Sequence, residues 1–412
     1  MVTSIRNSIR SQGCVLVTDG NERSALAVTR GLGQAGIPVV VGAETDSSLA
    51  GVSRYCVSRW RYPSPLSEPM QFISSLAEAI RQLNITVVMP VTDATMQAVA
   101  EHKESLGLSN TQGLPSWESY NLVSDKYRLC HLAGELGVPV PSTVFVERGI
   151  PPADTEALGG YPLIVKPGRS LMLVNGNWTR TSVHRVENRE ELDRLYRSIP
   201  YLREPSLIQK CIEGEGQGVF ALCSSGDPVA LFAHRRIREK PPSGGVSVLR
   251  ESIDLPKEMT DYSVRLLKKV GWHGVAMVEF KVEHGTRIPN LMEINGRFWG
   301  SLQLALDAGL NFPNLLYQLA NQQPIAVPAS TYKTGVKSRW LLGDLDHLLM
   351  RTFKSDETLK LPPGYPSRLR SAADFARFWQ KDLHYEIERW DDFAPARYEL
   401  QRYIMHLIKG HA

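Results

Sequence analysis

The sequence predicts an α/β protein that opens with a doubly wound parallel sheet and ends in an α-rich segment. In the first hundred residues, short apolar strands such as "CVLVTDG" (14–20) and "ITVVMPVTD" (85–93) alternate with helical patterns such as "ERSALAVTRGLGQAG". This βαβ order is typical of parallel sheets covered by helices. Near the C-terminus, "RWLLGDLDHLLMR" and "ARYELQRYIMHLIKG" have helical period, which indicates an α-rich extension.

Length and composition restrict the class of protein. A chain of 412 residues is long enough for two to three domains of roughly 100–200 residues each. Its net charge of +4 comes from 47 basic and 43 acidic residues spread along the chain, which argues against a nucleic-acid groove. The apolar stretches are shorter than the roughly 18 residues of a membrane span, and the polar N-terminus lacks the apolar core of a signal peptide. The five scattered cysteines predict reduced thiols and a cytoplasmic protein.

The turn after the first strand argues against a dinucleotide-binding domain. Such a domain needs G-x-G-x-x-G directly after that strand. Here "TDGNERS" follows the strand, and the pair Gly31 and Gly33 comes only after a helical stretch.

A second structural unit opens near residue 116. "NLVSDKYRLCHLAGELGVPVPSTVFV" has a helical pattern that ends at a glycine and a proline, as helices commonly do. The strand "YPLIVKPG" (161–168), the helix "NREELDRLYRSI" and the strands of "SLIQKCIEGEGQGVFALC" follow. "GVAMVEFKVEHGTRIPNLMEINGRFWG" then reads as an antiparallel hairpin.

The hairpin carries acidic residues inside apolar strands. If "EHGTRI" forms its loop, Glu279 and Glu293 face each other, and Asn295 projects from the same side. Facing carboxylates repel unless a cation lies between them or one takes a proton. Two carboxylates and an amide oxygen suit Mg²⁺, and Arg297 is spaced to hold a phosphate or carboxylate. The alternative is a carboxylate held at a sheet edge by a neighbouring arginine.

With these motifs the sequence resembles the ATP-grasp superfamily. Glu279 followed by "EINGR" (293–297) is similar to its metal-binding pattern, and "SDKYRL", "LIVKP" and "IQKCIEGEG" resemble its nucleotide-binding segments. The resemblance implies a pre-ATP-grasp domain over residues 1–115, an ATP-grasp domain over 116–325 with a nucleotide lid at about 156–210, and an extension over 326–412.

The resemblance also implies a set of nucleotide contacts. Lys126 and Lys166 are expected at the phosphates, and Gln209 at the adenine amino group, where the family often has glutamate. The backbones of Lys210 and Ile212 would pair with the adenine edge. Glu215, or alternatively Glu213, would bind the ribose.

Two further segments are candidates for contact with anions. In "AHRRIREKPPSGGVSVLRES", alternation would place Arg236, Arg238 and Lys240 on one face, although a solvated basic edge strand is the alternative. The expected anion-binding groups here and at the start of the later helix are Ser243, Gly244, Gly245 and Ser301. The loop after Lys166 has few glycines, and there Arg169 and Ser170 are expected to replace them. The histidines His234, His273 and His284 lack metal spacing and are interpreted as structural.

The resemblance implies an ATP-dependent carboxylate–amine ligase that works through an acyl-phosphate and releases ADP and phosphate. Two Mg²⁺ ions are expected, with Mn²⁺ as a substitute, held by Glu279, Glu293 and Asn295. The candidate catalytic cations are Arg297, Arg236 and Arg235. The expected partners are a small carboxylate, an amine and a second copy of the chain. Two alternatives stay open: a bicarbonate-activating enzyme of the carbamoyl-phosphate synthase or biotin carboxylase type, and a regulator that binds Mg·ATP without turnover.

Overall fold

The computed structural model describes residues 13–108, 113–151, 155–174, 177–325, 331–362 and 364–408. In chain order, the helices α1 to α12 are Arg23–Gln34, Pro69–Gln82, Asp93–Glu101, Trp117–Val123, Lys126–Glu135, Arg189–Ser198, Lys257–Lys269, Leu302–Asp307, Phe312–Ala320, Leu341–Phe353, Arg368–Phe375 and Ala394–Ile408. The strands β1 to β17 are Cys14–Val17, Val39–Ala43, Cys56–Arg61, Ile85–Met89, Thr143–Val146, Leu163–Pro167, Leu171–Val174, Asn177–Arg180, His184–Val186, Ser206–Lys210, Gly214–Ser224, Asp227–Lys240, Val246–Ser252, Gly274–Glu283, Pro289–Asn295, Lys337–Arg339 and Leu383–Tyr385.

The N-terminal unit is a parallel four-stranded sheet in the order β3-β2-β1-β4. Strands β1 and β2 are buried along their whole length, as parallel strands covered on both faces usually are. The edge strand β3 instead alternates between half-buried and exposed positions. The predicted parallel sheet is therefore confirmed.

Strands β5, β6, β9 and β10 form an antiparallel sheet with a core of its own; we call it the lid because three of these strands fall in the segment predicted as a nucleotide lid. Its strands lie in the order β5-β10-β6-β9. Apolar side chains of the lid, including Val146, Leu163, Val165, Leu192 and Ile208, form a separate buried cluster. Residues 175 and 176, between β7 and β8, lie outside the described residues, and with them part of the predicted loop 168–180.

The largest sheet has seven strands in the order β15-β14-β11-β12-β13-β16-β17. Its edge is the predicted hairpin of β14 and β15, in which Glu279 pairs directly with Glu293 and Met277 with Asn295. This register places Glu279, Glu293 and Asn295 on one face, as predicted.

The C-terminal extension is helical but also completes the large sheet. Strands β16 and β17 add to β13 at the far edge. These three-residue strands were not predicted, because such a short segment carries no periodicity. The extension also contacts the first domain, since the buried Arg30 of α1 donates to Asp392 over 2.8 Å.

Two features bear on the class of protein. No helix within the described ranges is long and apolar enough to cross a membrane. All five cysteines are free thiols, in agreement with the prediction.

Candidate active site

A cavity of about 510 Å³ lies between the large sheet, the N-terminal unit and the strand pair β7–β8. Most of its polar wall comes from β12, β15 and the first turns of α1 and α3. Its lining includes Arg23, Asp93, Ser170, His234, Arg236, Gly245, Glu279, Glu293, Asn295, Arg297, Trp299 and Ser301. The structure thus brings the predicted metal residues and several predicted anion-binding residues to one cavity.

The two hairpin carboxylates are each held by a different cation. Arg236 contacts Glu279 over 2.6 Å, and Lys126 contacts Glu293 over 3.4 Å. Asn295 donates to Glu293 over 3.0 Å. Within the described residues no group of three or more His, Cys, Asp or Glu side chains is placed to hold a metal. The predicted set has two carboxylates and an amide, and its oxygens fit the oxygen-only coordination of Mg²⁺.

The surroundings of Glu279 and Glu293 shift their pKa values in opposite directions. Burial raises the pKa of Glu279, and the negative charge of Glu293 adds to this effect, although Arg236 opposes both. Burial also acts on Glu293, but Lys126, the Asn295 hydrogen bond, Lys166 and Arg297 outweigh it and lower its pKa to about 2. Glu293 is therefore ionised at neutral pH.

Both terminal nitrogens of the Arg297 guanidinium are held by hydrogen bonds. Its Nη2 donates to Asp93 over 2.9 Å and to Asn295 over 3.0 Å, and its Nη1 donates to the carbonyl of Phe298. Asp93, which begins α3, was not among the predicted site residues. Its position at the carboxyl end of an N-terminal strand is the signal that points to it.

The predicted phosphate lysines converge on the same carboxylate. Lys126 begins α5 and its Nζ donates to Ser170 over 2.8 Å, so Ser170 lies beside the cleft as expected. Lys166 ends β6 with its Nζ 3.8 Å from the Met292 sulfur. Burial lowers the pKa of Lys166, although Glu293 nearby opposes this. Arg169 instead pairs with Asp125 over 3.2 Å.

The lid strand β10 presents Gln209 to the interior. Gln209 is 2% exposed, and its Nε2 donates to Thr143 over 2.9 Å. Its Oε1 is buried and has no hydrogen-bond partner among the described residues. A buried acceptor left unpaired is unfavourable, so this oxygen fits the predicted role of accepting from an adenine amino group.

The remaining predicted adenine and ribose contacts differ in position. The Lys210 amide already donates to the Ser142 carbonyl over 2.9 Å, which leaves only its carbonyl for a base, and Ile212 is buried nearby. Glu215 accepts from Gln217 and lies 3.6 Å from Arg235, on the sheet face opposite Glu279. The position of Glu215 therefore does not support the predicted ribose contact, and Glu213 is exposed.

The basic strand β12 does not place its cations on one face. Arg236 reaches the cavity, but Arg238 pairs with Asp344 over 2.6 Å and Lys240 pairs with Asp346. Register shifts on both sides of Arg238 break the alternation. Arg235 pairs with Glu251 over 2.7 Å on the opposite face, so its position does not support the predicted catalytic role.

The turn after β12 contributes only one of its predicted anion donors to the cavity. Gly245 lines the cavity, and its carbonyl accepts from Arg236 over 3.2 Å. A Cβ at Gly245 would lie 2.4 Å from the Lys240 carbonyl oxygen, so only glycine fits there. Ser243 and Gly244 are exposed, and the Gly244 amide donates to the Pro241 carbonyl over 3.1 Å. Ser301 lines the cavity at the start of α8.

Comparisons with known proteins agree with this geometry. Residues 203–341 match a family model described as ATP-grasp in the biosynthetic pathway with Ter operon. A comparison with curated proteins gives no match.

Solved structures match most of the chain at low sequence identity. An L-amino acid ligase from Bacillus licheniformis is 15% identical with a TM-score of 0.58, over 75% of this chain and 74% of that one. An N5-carboxyaminoimidazole synthetase from Staphylococcus aureus is 14% identical with a TM-score of 0.62, over 83% and 86%. A biotin carboxylase from Campylobacter jejuni is 16% identical with a TM-score of 0.58, over 78% and 74%. The predicted fold class is confirmed.

Proposed function

We propose that this chain, an ATP-grasp protein by its fold, is an ATP- and Mg²⁺-dependent enzyme that joins a carboxylate to an amine. The observation that carries the proposal is the pairing of Glu279 with Glu293 on the wall of the cavity. The names of the L-amino acid ligase and the N5-carboxyaminoimidazole synthetase support a reaction that forms a carbon–nitrogen bond.

The residues of the site would divide between nucleotide binding, metal binding and phosphoryl transfer. Gln209 would accept from the adenine amino group, and Lys126 and Lys166 would contact the phosphates. Oxygens of Glu279, Glu293 and Asn295 would hold Mg²⁺, which would neutralise phosphate charge. Arg297, fixed by Asp93, would orient the substrate carboxylate and stabilise charge on the transferred phosphoryl group, since phosphoryl transfer depends largely on positioning and electrostatics.

The proposed reaction consumes only ATP, the carboxylate and the amine. A carboxylate oxygen attacks the γ-phosphorus and ADP leaves, which gives an acyl-phosphate. The amine then attacks the acyl carbon, phosphate leaves and the amine loses a proton. Arg236 lies within 2.6 Å of Glu279, where it is placed to compensate charge as this phosphate departs.

The test uses purified protein with ATP, Mg²⁺ and a panel of carboxylic acids, each with hydroxylamine as a general nucleophile. We expect release of ADP with at least one acid and formation of the matching hydroxamate, which reports an activated acyl group. Glu293→Gln should abolish both products, while Glu190→Gln, on the exposed face of α6, should not. Turnover without hydroxamate would refute the acyl-phosphate, and normal Mg·ATP turnover by Glu293→Gln would refute the assigned site.

A bicarbonate-activating reaction is the second candidate, because a biotin carboxylase is among the similar structures. It predicts ADP release that depends on bicarbonate and needs no other acid. A bicarbonate-free buffer, with and without added bicarbonate, separates the two reactions.

A further inference from the structure

The last helix turns an apolar stripe toward solvent. In α12, Leu400, Ile404 and Leu407 are 46–49% exposed, and Ile408 is 74% exposed. Side chains three or four positions apart lie on the same face of a helix, so these four form one stripe. A surface helix normally turns such a stripe toward the core of its own protein. The stripe on α12 therefore points to a partner that covers it.

The opposite face of α12 attaches the helix to its own protein. Tyr398 donates to the Ser47 carbonyl over 2.8 Å, and Glu399 accepts from Trp340 over 2.8 Å. Because successive residues of a helix are rotated by about 100°, Tyr398 and Glu399 lie across the helix from the stripe. These contacts fix the rotation of α12 and keep its apolar side outside.

The stripe continues toward the start of the helix. Phe393 is more than half exposed and lies seven positions before Leu400, and its carbonyl accepts from the Arg397 amide. Trp390, almost fully exposed, stacks on Phe393 with a centroid distance of 6.2 Å. The spacing of a coiled-coil seam, alternately four and three residues, is met by positions 393, 397, 400, 404 and 407. We call these five positions the seam.

The seam suits another helix better than a lipid surface. A helix that lies on a bilayer is rich in lysine and arginine beside its apolar face. In α12, Arg397 has this position, whereas Arg402 donates to Asn21 over 2.7 Å and is turned toward the first domain. Apolar side chains at seam spacing instead let two helices pack with the knobs of one in the holes of the other.

The size of the stripe limits the strength of such a contact. From residue 393 to residue 408 it covers about 22 Å of helix, at about 1.5 Å per residue. A standard interface takes roughly 20–30 residues from each side, and one helix face with Trp390 offers fewer. The contact is therefore expected to be reversible.

Arg397 determines how two copies of the helix can pair. Among the residues at the five seam positions it alone is charged. In a parallel pair it would face Arg397 of the second copy, and the like charges would repel. In an antiparallel pair centred between Leu400 and Ile404, it lies beside Leu407 of the second copy, and Leu400 lies beside Ile404. The Arg397 stem can then cover the leucine while the guanidinium reaches water.

We propose that α12 pairs antiparallel with α12 of a second copy of this chain and so forms a reversible dimer. The contact is isologous, because the same surface of each copy takes part. It covers Phe393, Leu400, Ile404 and Leu407 of both copies. The pairing is independent of the reaction in the cavity, so its failure would leave the proposed function untouched.

Sedimentation velocity of the full chain tests the pairing, over a concentration range of about 1–100 µM. We expect an equilibrium between one and two copies. Ile404→Glu and Leu400→Lys should each raise the dissociation constant of the dimer by about 10-fold or more, since a charge replaces an apolar group at the centre of the contact. Met405→Glu is the matched control: Met405 is also half exposed on α12 but lies outside the seam. It should change the dissociation constant by no more than about twofold.

A mixture of the two variants tests the orientation. In an antiparallel pair, Glu at position 404 of one copy lies beside Lys at position 400 of the other, while the natural Leu400 and Ile404 meet at the second contact. Ile404→Glu and Leu400→Lys, each impaired alone, should therefore form a mixed dimer, which native mass spectrometry separates by mass. Circular dichroism verifies that both variants fold, and both positions are exposed in the single chain.

Four outcomes would overturn the inference. The first is a single copy at every concentration up to about 100 µM, and the second is a dimer that folded Ile404→Glu leaves unchanged. The third is the absence of a mixed dimer, which would refute the antiparallel contact. The fourth is binding to vesicles of phosphatidylcholine and phosphatidylserine that Ile404→Glu abolishes, without any dimer, which would assign the stripe to a lipid surface.

Discussion

Glu279 and Glu293 are direct partners across the β14–β15 hairpin, yet their pKa values shift in opposite directions. Burial dominates for Glu279 and raises its pKa, whereas surrounding cations overcome burial for Glu293 and lower its pKa to about 2. The hairpin thus holds one firmly ionised carboxylate and one that a cation must compensate. A divalent ion between them would replace part of the compensation that Arg236 gives in its absence.

Removal of the ionised carboxylate should weaken the magnesium-dependent binding of ADP. Glu293→Gln keeps the shape of the side chain but removes its charge, so we expect Mg²⁺-dependent ADP binding to weaken by at least about 10- to 100-fold. Calorimetric titration with ADP at several Mg²⁺ concentrations measures this. Glu190→Gln is the control, and an unchanged Mg²⁺ dependence in Glu293→Gln would contradict the assignment.

Lys166 should contribute to nucleotide binding and not to stability. Its ammonium is buried, and Glu293 keeps Lys126 as a partner in its absence. Lys166→Met should therefore leave the free energy of unfolding unchanged or raise it, while Mg·ADP affinity falls by about 10-fold or more. Urea denaturation and calorimetry measure the two quantities. The exposed Lys268→Met serves as control, and a destabilised variant with normal affinity would assign Lys166 a structural role.

Gln209 should recognise the adenine through its unpaired oxygen. Gln209→Ala removes that acceptor, and loss of one uncharged hydrogen bond should raise the dissociation constant of Mg·ADP by about fivefold. The effect should vanish for a purine nucleotide without the 6-amino group, which offers no donor to this oxygen. An equal loss of affinity for both nucleotides would show that Gln209 acts on the shape of the lid instead.

The ion pair of Arg30 and Asp392 should fasten the C-terminal extension to the first domain. Asp392 accepts from Arg30 Nε, Ser53 and the Arg54 amide. Removal of one member of a buried pair costs about 3–5 kcal/mol, so Arg30→Met and Asp392→Asn should each lower the unfolding free energy by about that amount. The double variant should lose much less than the sum. Additive losses in urea denaturation would show that the pair is not coupled.

Glu399 should make stability depend on pH. Its folded-state pKa of about 7 exceeds the value near 4.3 of a free glutamate, so the folded state binds more protons between those values. Stability therefore falls as pH rises through this window. Glu399→Gln, neutral throughout, should match the natural protein near pH 4.5 and exceed it at pH 8 by at most about 3.5 kcal/mol. Parallel stability curves for the two proteins across that range would contradict this.

The local sequence was enough to predict the hairpin of β14 and β15, because the alternation of its side chains and the length of its loop determine how the strands pair. The spacing between Glu279 and Glu293 gave their pairing, since strand alternation and a short loop leave one sensible register. The resemblance to the ATP-grasp superfamily pointed to Lys126 and Lys166. In the structure Lys126 contacts Glu293, and Lys166 lies against Met292.

Distant partners explain what the sequence could not reveal. Arg238 and Lys240 turn away from the cavity because Asp344 and Asp346, on a helix about a hundred residues later in the chain, pair with them. His234 stands two positions before Arg236, so alternation could have placed it on the cavity face. Its buried ring nitrogens, which have no hydrogen-bond partner among the described residues, become evident only when all of its neighbours are known.

The separate core of the lid has a mechanical consequence. Gln209 and Lys166 belong to a sheet that packs around its own apolar cluster, whereas Glu279 and Glu293 belong to the large sheet. Under the proposed function, a nucleotide in contact with all four residues would bridge the two sheets. We therefore expect the distance between the sheets to be fixed while the nucleotide is bound and free to increase once it has left.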